Sequence, residues 1–156
     1  MAARSGSARS SKPRKGSTPP LSALDLGIDL GTTRTVVARA DRGNYPVLSF
    51  TDTNGDSHDY YPSLTALTDD GLVHGFRARR AARQGAPLLR SLKRTLAAPS
   101  VSAASPVALG DRTLGVGEVL VSFLTDLRQE LAASGVLDGA DPGGEDANVV
   151  VAVPAH

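Results

Sequence analysis

Leu24-Asp25-Leu26-Gly27-Ile28-Asp29-Leu30-Gly31-Thr32-Thr33 is the stretch that decides the fold. Apolar side chains at 24, 26, 28 and 30 alternate with polar or small ones, which is the period of a strand with one face in a core. Gly31-Thr32-Thr33-Arg34 then reads as a tight turn, and Thr35-Val36-Val37-Ala38 as the returning strand. Asp41-Arg42-Gly43-Asn44 is a second turn and residues 45–50 form a third strand, with Pro46 placing it at a strand start or a sheet edge. The chain thus opens as an antiparallel meander.

Residues 51–59 read as a polar loop. The short apolar runs 63–67 and 72–74 flank Thr68-Asp69-Asp70-Gly71, which has hairpin chemistry. Residues 75–84 form an Ala/Arg helix stopped by Gly85, and Pro87 is the first-turn proline of another helix running to about residue 96. Val116, Val119, Leu120, Phe123, Leu124, Leu127 and Leu131 recur at helical spacing, so 117–133 is the clearest amphipathic helix, and its stripe is core. After a Gly-rich acidic loop over 138–146, Asn148-Val149-Val150-Val151-Ala152-Val153 has the unbroken apolar character of a strand buried on both faces. The expected class is α/β, a mixed sheet flanked by helices. A helix followed by a buried strand normally feeds another crossover unit, so an end at His156 reads as a cut through a larger fold.

Composition narrows the chemistry. The 156 residues contain no Cys, which excludes disulfides, zinc fingers, iron–sulfur clusters and thiol nucleophiles, and fits a cytoplasmic location. Aromatics are 4% of the chain, too few for a nucleic-acid stacking platform. Residues 1–22 carry Arg4, Arg9, Lys12, Arg14 and Lys15 with no acid and almost no apolar side chain, so they are expected to form a disordered basic tail ahead of a folded unit over 23–156. Asp25 and Asp29 interrupt the only early apolar run, which rules it out as a secretory signal, and no window has the run of about 18 apolar residues that a membrane span needs. Residues 71–110 hold Arg77, Arg79, Arg80, Arg83, Arg90, Lys93 and Arg94 without a single acid, the strongest basic cluster in the folded part.

Asp29-Leu30-Gly31-Thr32-Thr33 has a physical logic for phosphate. A carboxylate at a strand end is followed by a glycine that permits close backbone approach, then by two hydroxyls and successive N–H groups that can face one anion. A carboxylate beside phosphate is repulsive unless a cation lies between them, and Mg²⁺ held partly through water is the natural one. The turn joins two strands and lacks an adjoining Gly-Lys-Ser/Thr, which disfavours a Walker P-loop. An ordinary Thr-rich hairpin would read the same on these five residues. Lys93 is the only lysine outside the tail in a chain that otherwise uses arginine. Its compact ammonium suits a γ-phosphate or the attacking water better than a guanidinium fork does, while a solvated helical lysine is the plainer alternative.

Five segments occur in one order: Leu26-Gly27-Ile28-Asp29-Leu30-Gly31-Thr32-Thr33, Tyr61-Pro62-Ser63, Val73-His74-Gly75, Leu92-Lys93-Arg94 and Asn148-Val149-Val150-Val151-Ala152-Val153-Pro154-Ala155. Together they resemble the start of the heat-shock protein 70 (DnaK-like) chaperones. The resemblance spans about residues 24–156 and corresponds to the first part of that family's nucleotide-binding domain, in its ribonuclease H-like, actin-like ATPase fold. The wider actin, sugar-kinase and hexokinase superfamily shares the Asp-Gly phosphate turn, and the Pro-Ser, Lys-Arg and Val-Pro-Ala segments favour the chaperone branch.

By this resemblance Asp29 coordinates Mg²⁺ through water, Gly31, Thr32 and Thr33 cradle the β- and γ-phosphates of ATP or ADP, and Lys93 steadies the γ-phosphate and orients the hydrolytic water. The implied activity is ATP hydrolysis coupled to binding and release of unfolded polypeptides, with a J-domain co-chaperone and a nucleotide-exchange factor as partners. Arg34 stands where the family has an aromatic or polar residue, and His156 replaces an aromatic; Arg34 either braces phosphate or faces solvent. The family's second phosphate loop, adenosine pocket and peptide-binding domain would lie beyond His156, so the isolated chain is expected to bind Mg-ATP weakly or not at all and to be inactive. A non-catalytic interaction module and an actin-like cytoskeletal ATPase remain the alternatives.

Overall fold

A computed structural model describes residues 24–137, 142–144 and 147–152. The expectations for the basic tail, for most of the acidic loop and for the Val-Pro-Ala end lie outside the described residues. The elements run β1 (Leu24–Leu30), β2 (Arg34–Arg39), β3 (Phe50–Thr51), β4 (Ser57–His58), β5 (Tyr61–Pro62), β6 (Leu64–Thr68), β7 (Gly71–His74), α1 (Gly75–Arg83), β8 (Leu88–Arg90), α2 (Leu92–Leu96), β9 (Pro106–Leu109), β10 (Arg112–Gly115), α3 (Val116–Ala133) and β11 (Ala147–Ala152). The result is a mixed α/β domain with few helices. No helix among the described residues is long and apolar enough to cross a membrane.

The main sheet has the order β11-β1-β2-β5, with β1 antiparallel to β2 and parallel to β11. The alternation in β1 works as expected: Leu24, Leu26, Ile28 and Leu30 are buried in one cluster with Val37 and with Phe123, Leu127 and Leu131 of α3, while Gly27 and Asp29 face the open side. Residues 45–50 do run antiparallel to β2, donating from Leu48 N to Val37 O (2.8 Å), but they pair with it only through an isolated bridge at Val47. The short β5 takes up the other end of that edge, opposite Arg34 and Thr35. The loop over 51–59 contains a two-stranded hairpin, β3 with β4, closed on the Asp52 carboxylate, which accepts from the N–H groups of Asn54 (2.8 Å) and Asp56 (3.1 Å).

Three expectations are corrected. The helix expected from Pro87 to about 96 is instead the strand β8 followed by the five-residue α2. The second edge of β6 is open there, and pairing Leu88, Leu89 and Arg90 along it satisfies backbone groups that a helix would have left on that edge. Pro87 fits because it contributes only its carbonyl, accepting from Leu67 N at 3.0 Å. The β9–β10 hairpin lies where no element was anticipated, and Gly110 at its tip has φ +63°. Finally, β11 is not buried on both faces. It is the outermost strand of the sheet, and Val149, Val150 and Val151 are 40%, 64% and 38% exposed.

The pieces meet around Tyr61. Its ring lies 5.4 Å from Phe50, 5.9 Å from Phe76 and 5.8 Å from Phe123, and its hydroxyl donates to the buried Asp126 of α3. Arg77 of α1 donates to the other oxygen of the same carboxylate and lies 3.9 Å from Glu130. Burial pushes the Tyr61 phenol well above its ordinary pKa, so it stays a donor. Gly75 opens α1 with φ +58°, and a Cβ there would run into the Tyr61 ring. Next to it, the buried His74 shares hydrogen bonds with Thr65 Oγ1 (3.0 Å) and Ser122 Oγ (2.8 Å), tying β7 to β6 and α3.

Gly75→Ala should cost about 2 kcal/mol or more in urea unfolding, because left-handed strain and overpacking add. Gly85→Ala, with φ +94° but open space around it, should cost the backbone strain alone. Burial, with Arg77 adding to it, holds the His74 pKa down at about 4 against an ordinary 6.5. The unfolded chain therefore takes up a proton at this position while the folded one does not. Stability should be full above pH 6.5 and fall as the pH drops toward 4, and thermal melts of His74→Gln should lose much of that slope.

Candidate functional site

Asp29 projects from the open face of β1 because its neighbours Ile28 and Leu30 turn into the core. The chain then reverses over Gly31, Thr32 and Thr33, with Gly31 N donating to Asp29 O at 3.1 Å. Gly31 sits so close to the backbone that a Cβ would run into the Arg34 carbonyl oxygen, so this position requires glycine for space. Both threonines are exposed, and their hydroxyls are available to a ligand.

A chain of contacts links this turn to Lys93. Ser63 N donates to Thr33 O (3.1 Å), and Ser63 Oγ bonds with the buried Thr35 Oγ1 (2.9 Å). On its other side Ser63 O accepts from Ser91 N at a longer 3.5 Å. Ser91 has φ +69°, a left-handed conformation that ends β8 and turns the chain into α2. One residue into that helix, Lys93 places its Nζ 3.8 Å from Asp29 Oδ1. The fold thus brings together residues far apart in sequence, Asp29 and Lys93, beside the Gly31-Thr32-Thr33 turn. Ser63 and Ser91, which do the joining, carry no chemical signature of their own; Ser63 was visible only as part of Tyr61-Pro62-Ser63.

The basic cluster does not form one patch. Arg77 is committed to Asp126 and Glu130. Arg79 donates to Tyr60 Oη (3.3 Å) and stacks 5.3 Å from Phe76. Arg34 lies 4.5 Å above the Tyr60 ring, an exposed cation on an aromatic face. Arg83 and Arg90 line a cleft with Thr32 and Thr33.

The residues fit a hydrated Mg²⁺ and phosphates better than a protein-only metal cage. Among the described residues no three His, Cys, Asp or Glu side chains converge, whereas a single carboxylate plus phosphate oxygens and water is the usual way Mg²⁺ is held. Lys93 opposite that carboxylate supplies a compact positive charge beside the turn. No protein-family model matches the chain, and no curated protein matches it.

The Asp29 side chain is 64% exposed and that of Lys93 27%, so their pairing adds little to stability. Lys93→Ala and Asp29→Asn should each change the unfolding free energy by less than about 1 kcal/mol. Ser63→Ala strands the buried Thr35 hydroxyl and should cost about 1–3 kcal/mol, measured in the same urea titrations.

Proposed function

We propose that the chain is the amino-terminal part of the nucleotide-binding domain of a DnaK-like chaperone of the heat-shock protein 70 family, with a ribonuclease H-like, actin-like ATPase fold. The observation that carries this reading is the 3.8 Å approach of Lys93 to Asp29 at the phosphate turn. It is supported by the strand order, in which β1 lies between an antiparallel β2 and a parallel β11, and by a glycine whose missing Cβ the turn requires.

In this reading the backbone N–H groups and hydroxyls of the Gly31-Thr32-Thr33 turn hold the β- and γ-phosphates of ATP. Asp29 would hold hydrated Mg²⁺ beside them, and that ion would supply charge neutralisation to the phosphates and the leaving oxygen. Lys93 stabilises the equatorial oxygens of the transferring γ-phosphoryl group and orients the attacking water. Positioning and electrostatic stabilisation are most of what phosphoryl transfer asks of a protein. The activity proposed for the protein to which this segment belongs is cytoplasmic ATP hydrolysis that drives cycles of unfolded-polypeptide binding and release, assisted by a J-domain co-chaperone and a nucleotide-exchange factor.

Titrating Mg-ATP into the ¹⁵N-labelled chain should shift the amides of Gly31, Thr32 and Thr33, with a dissociation constant in the millimolar range, about −4 kcal/mol. The shifts should require Mg²⁺ and weaken in Asp29→Asn. Shifts that map elsewhere, or that are the same without Mg²⁺, would contradict the assignment.

A further inference from the structure

On the helix side of the phosphate turn lies a cleft of about 420 Å³ lined by Thr32, Thr33, Leu64, Arg79, Ala82, Arg83, Leu88 and Arg90. It falls in the size range of small-ligand sites. Its lining holds three guanidinium groups and two hydroxyls but no carboxylate, and neither Asp29 nor Lys93 belongs to it.

The arginines are placed by two elements, α1 and β8. Arg90 stands on β8 in register with Leu64 of β6, and Arg83 ends α1. Arg79 is held in orientation by Tyr60 and Phe76. Where the fold needs a guanidinium for itself it supplies an acid, as Asp126 and Glu130 do for Arg77. Arg83 and Arg90 make no ion pair or hydrogen bond with any described residue. A favourable interaction with the carboxyl end of α1 accounts for a cation at 83, but not for Arg90 lining the same cleft with Leu64, Ala82 and Leu88. Two arginines without an acidic partner among the described residues, lining one cleft with apolar side chains, suit a ligand with two or more anionic oxygens and a short apolar body.

We propose that this cleft binds a small, multiply charged oxyanion, a phosphate ester or a polycarboxylate, without the help of Mg²⁺. Arg83 and Arg90 grip the anionic groups bidentately, the Thr32 and Thr33 hydroxyls of the same lining donate to them, and the apolar body rests on Leu64 and Leu88. The site adjoins the proposed nucleotide-phosphate position through the two threonines, but it needs neither ATP nor Lys93.

The test is calorimetric titration of the chain with pyrophosphate and, separately, with citrate, in EDTA at fixed ionic strength, with amide shifts locating the bound probe. Saturable binding that shifts Leu64, Ala82, Leu88 and Arg90 is expected. It should weaken about tenfold or more in Arg83→Ala and in Arg90→Ala, while Arg80→Ala leaves it nearly unchanged. Tighter pyrophosphate assigns a phosphate ester; tighter citrate assigns a polycarboxylate. Absence of binding, or an equal loss in Arg80→Ala, would mean diffuse attraction to a basic surface and overturn the proposal. Because the assay excludes Mg²⁺, its failure is distinct from failure of the ATP reading, which depends on Mg²⁺ and Asp29.

Discussion

The Tyr61 ring occupies the space that any side chain at position 75 would need, and its hydroxyl reaches a carboxylate buried on α3. A buried carboxylate is costly unless it is paired and hydrogen-bonded, and here Tyr61 and Arg77 meet both requirements for Asp126. This knot ties β5 to α1 and α3 at one point. All three Phe and two of the three Tyr in the chain, Tyr60 and Tyr61, gather in it, so a composition poor in aromatics is spent almost entirely on one junction. Ser63 follows Tyr61 by two residues, and what the knot fixes in β5 passes directly to the hydrogen bonds that hold the Gly31-Thr32-Thr33 turn.

Elements whose side chains follow a simple period were legible. The alternation of β1, the hairpin of β6 and β7 around Asp69-Asp70, and the apolar stripe of α3 all depend on local pattern, and the structure has them where the pattern put them. The failures are non-local. Leu88-Leu89-Arg90 is compatible with either a helix or a strand, and the open edge of β6 decides the matter. The run Val149-Val150-Val151 is as apolar as a central strand, but its burial depends on neighbours in space, and it lies at the sheet edge. For β9 and β10, Val107, Leu109 and Leu114 flanking Gly110-Asp111 were an available hairpin signal.

The site divides in the same way. Asp29, Gly31, Thr32 and Thr33 lie within five residues, so the phosphate chemistry proposed for them can be framed from the chain directly. Lys93 stood out by rarity and by resemblance, and only the fold brings it to Asp29. A sequence cannot say which cations in an acid-free stretch will be neutralised: Arg77 finds Asp126 on a helix far along the chain, while Arg83 and Arg90 find no acid among the described residues. That unequal distribution turns a uniform-looking basic cluster into one structural ion pair, one arginine stacked among aromatic rings and one cationic cleft.

Lys93 is the only lysine among the described residues, which makes it a clean probe of the central claim that its ammonium faces ATP phosphate. Reductive methylation with ¹³C keeps the lysine charge and labels Lys93 together with Lys12 and Lys15. Adding Mg-ATP should move the Lys93 methyl resonance, assigned by its loss in Lys93→Arg, and leave the other two in place. A Lys93 resonance that stays fixed while Mg-ATP is bound, or that moves no more than those of Lys12 and Lys15, would contradict the account.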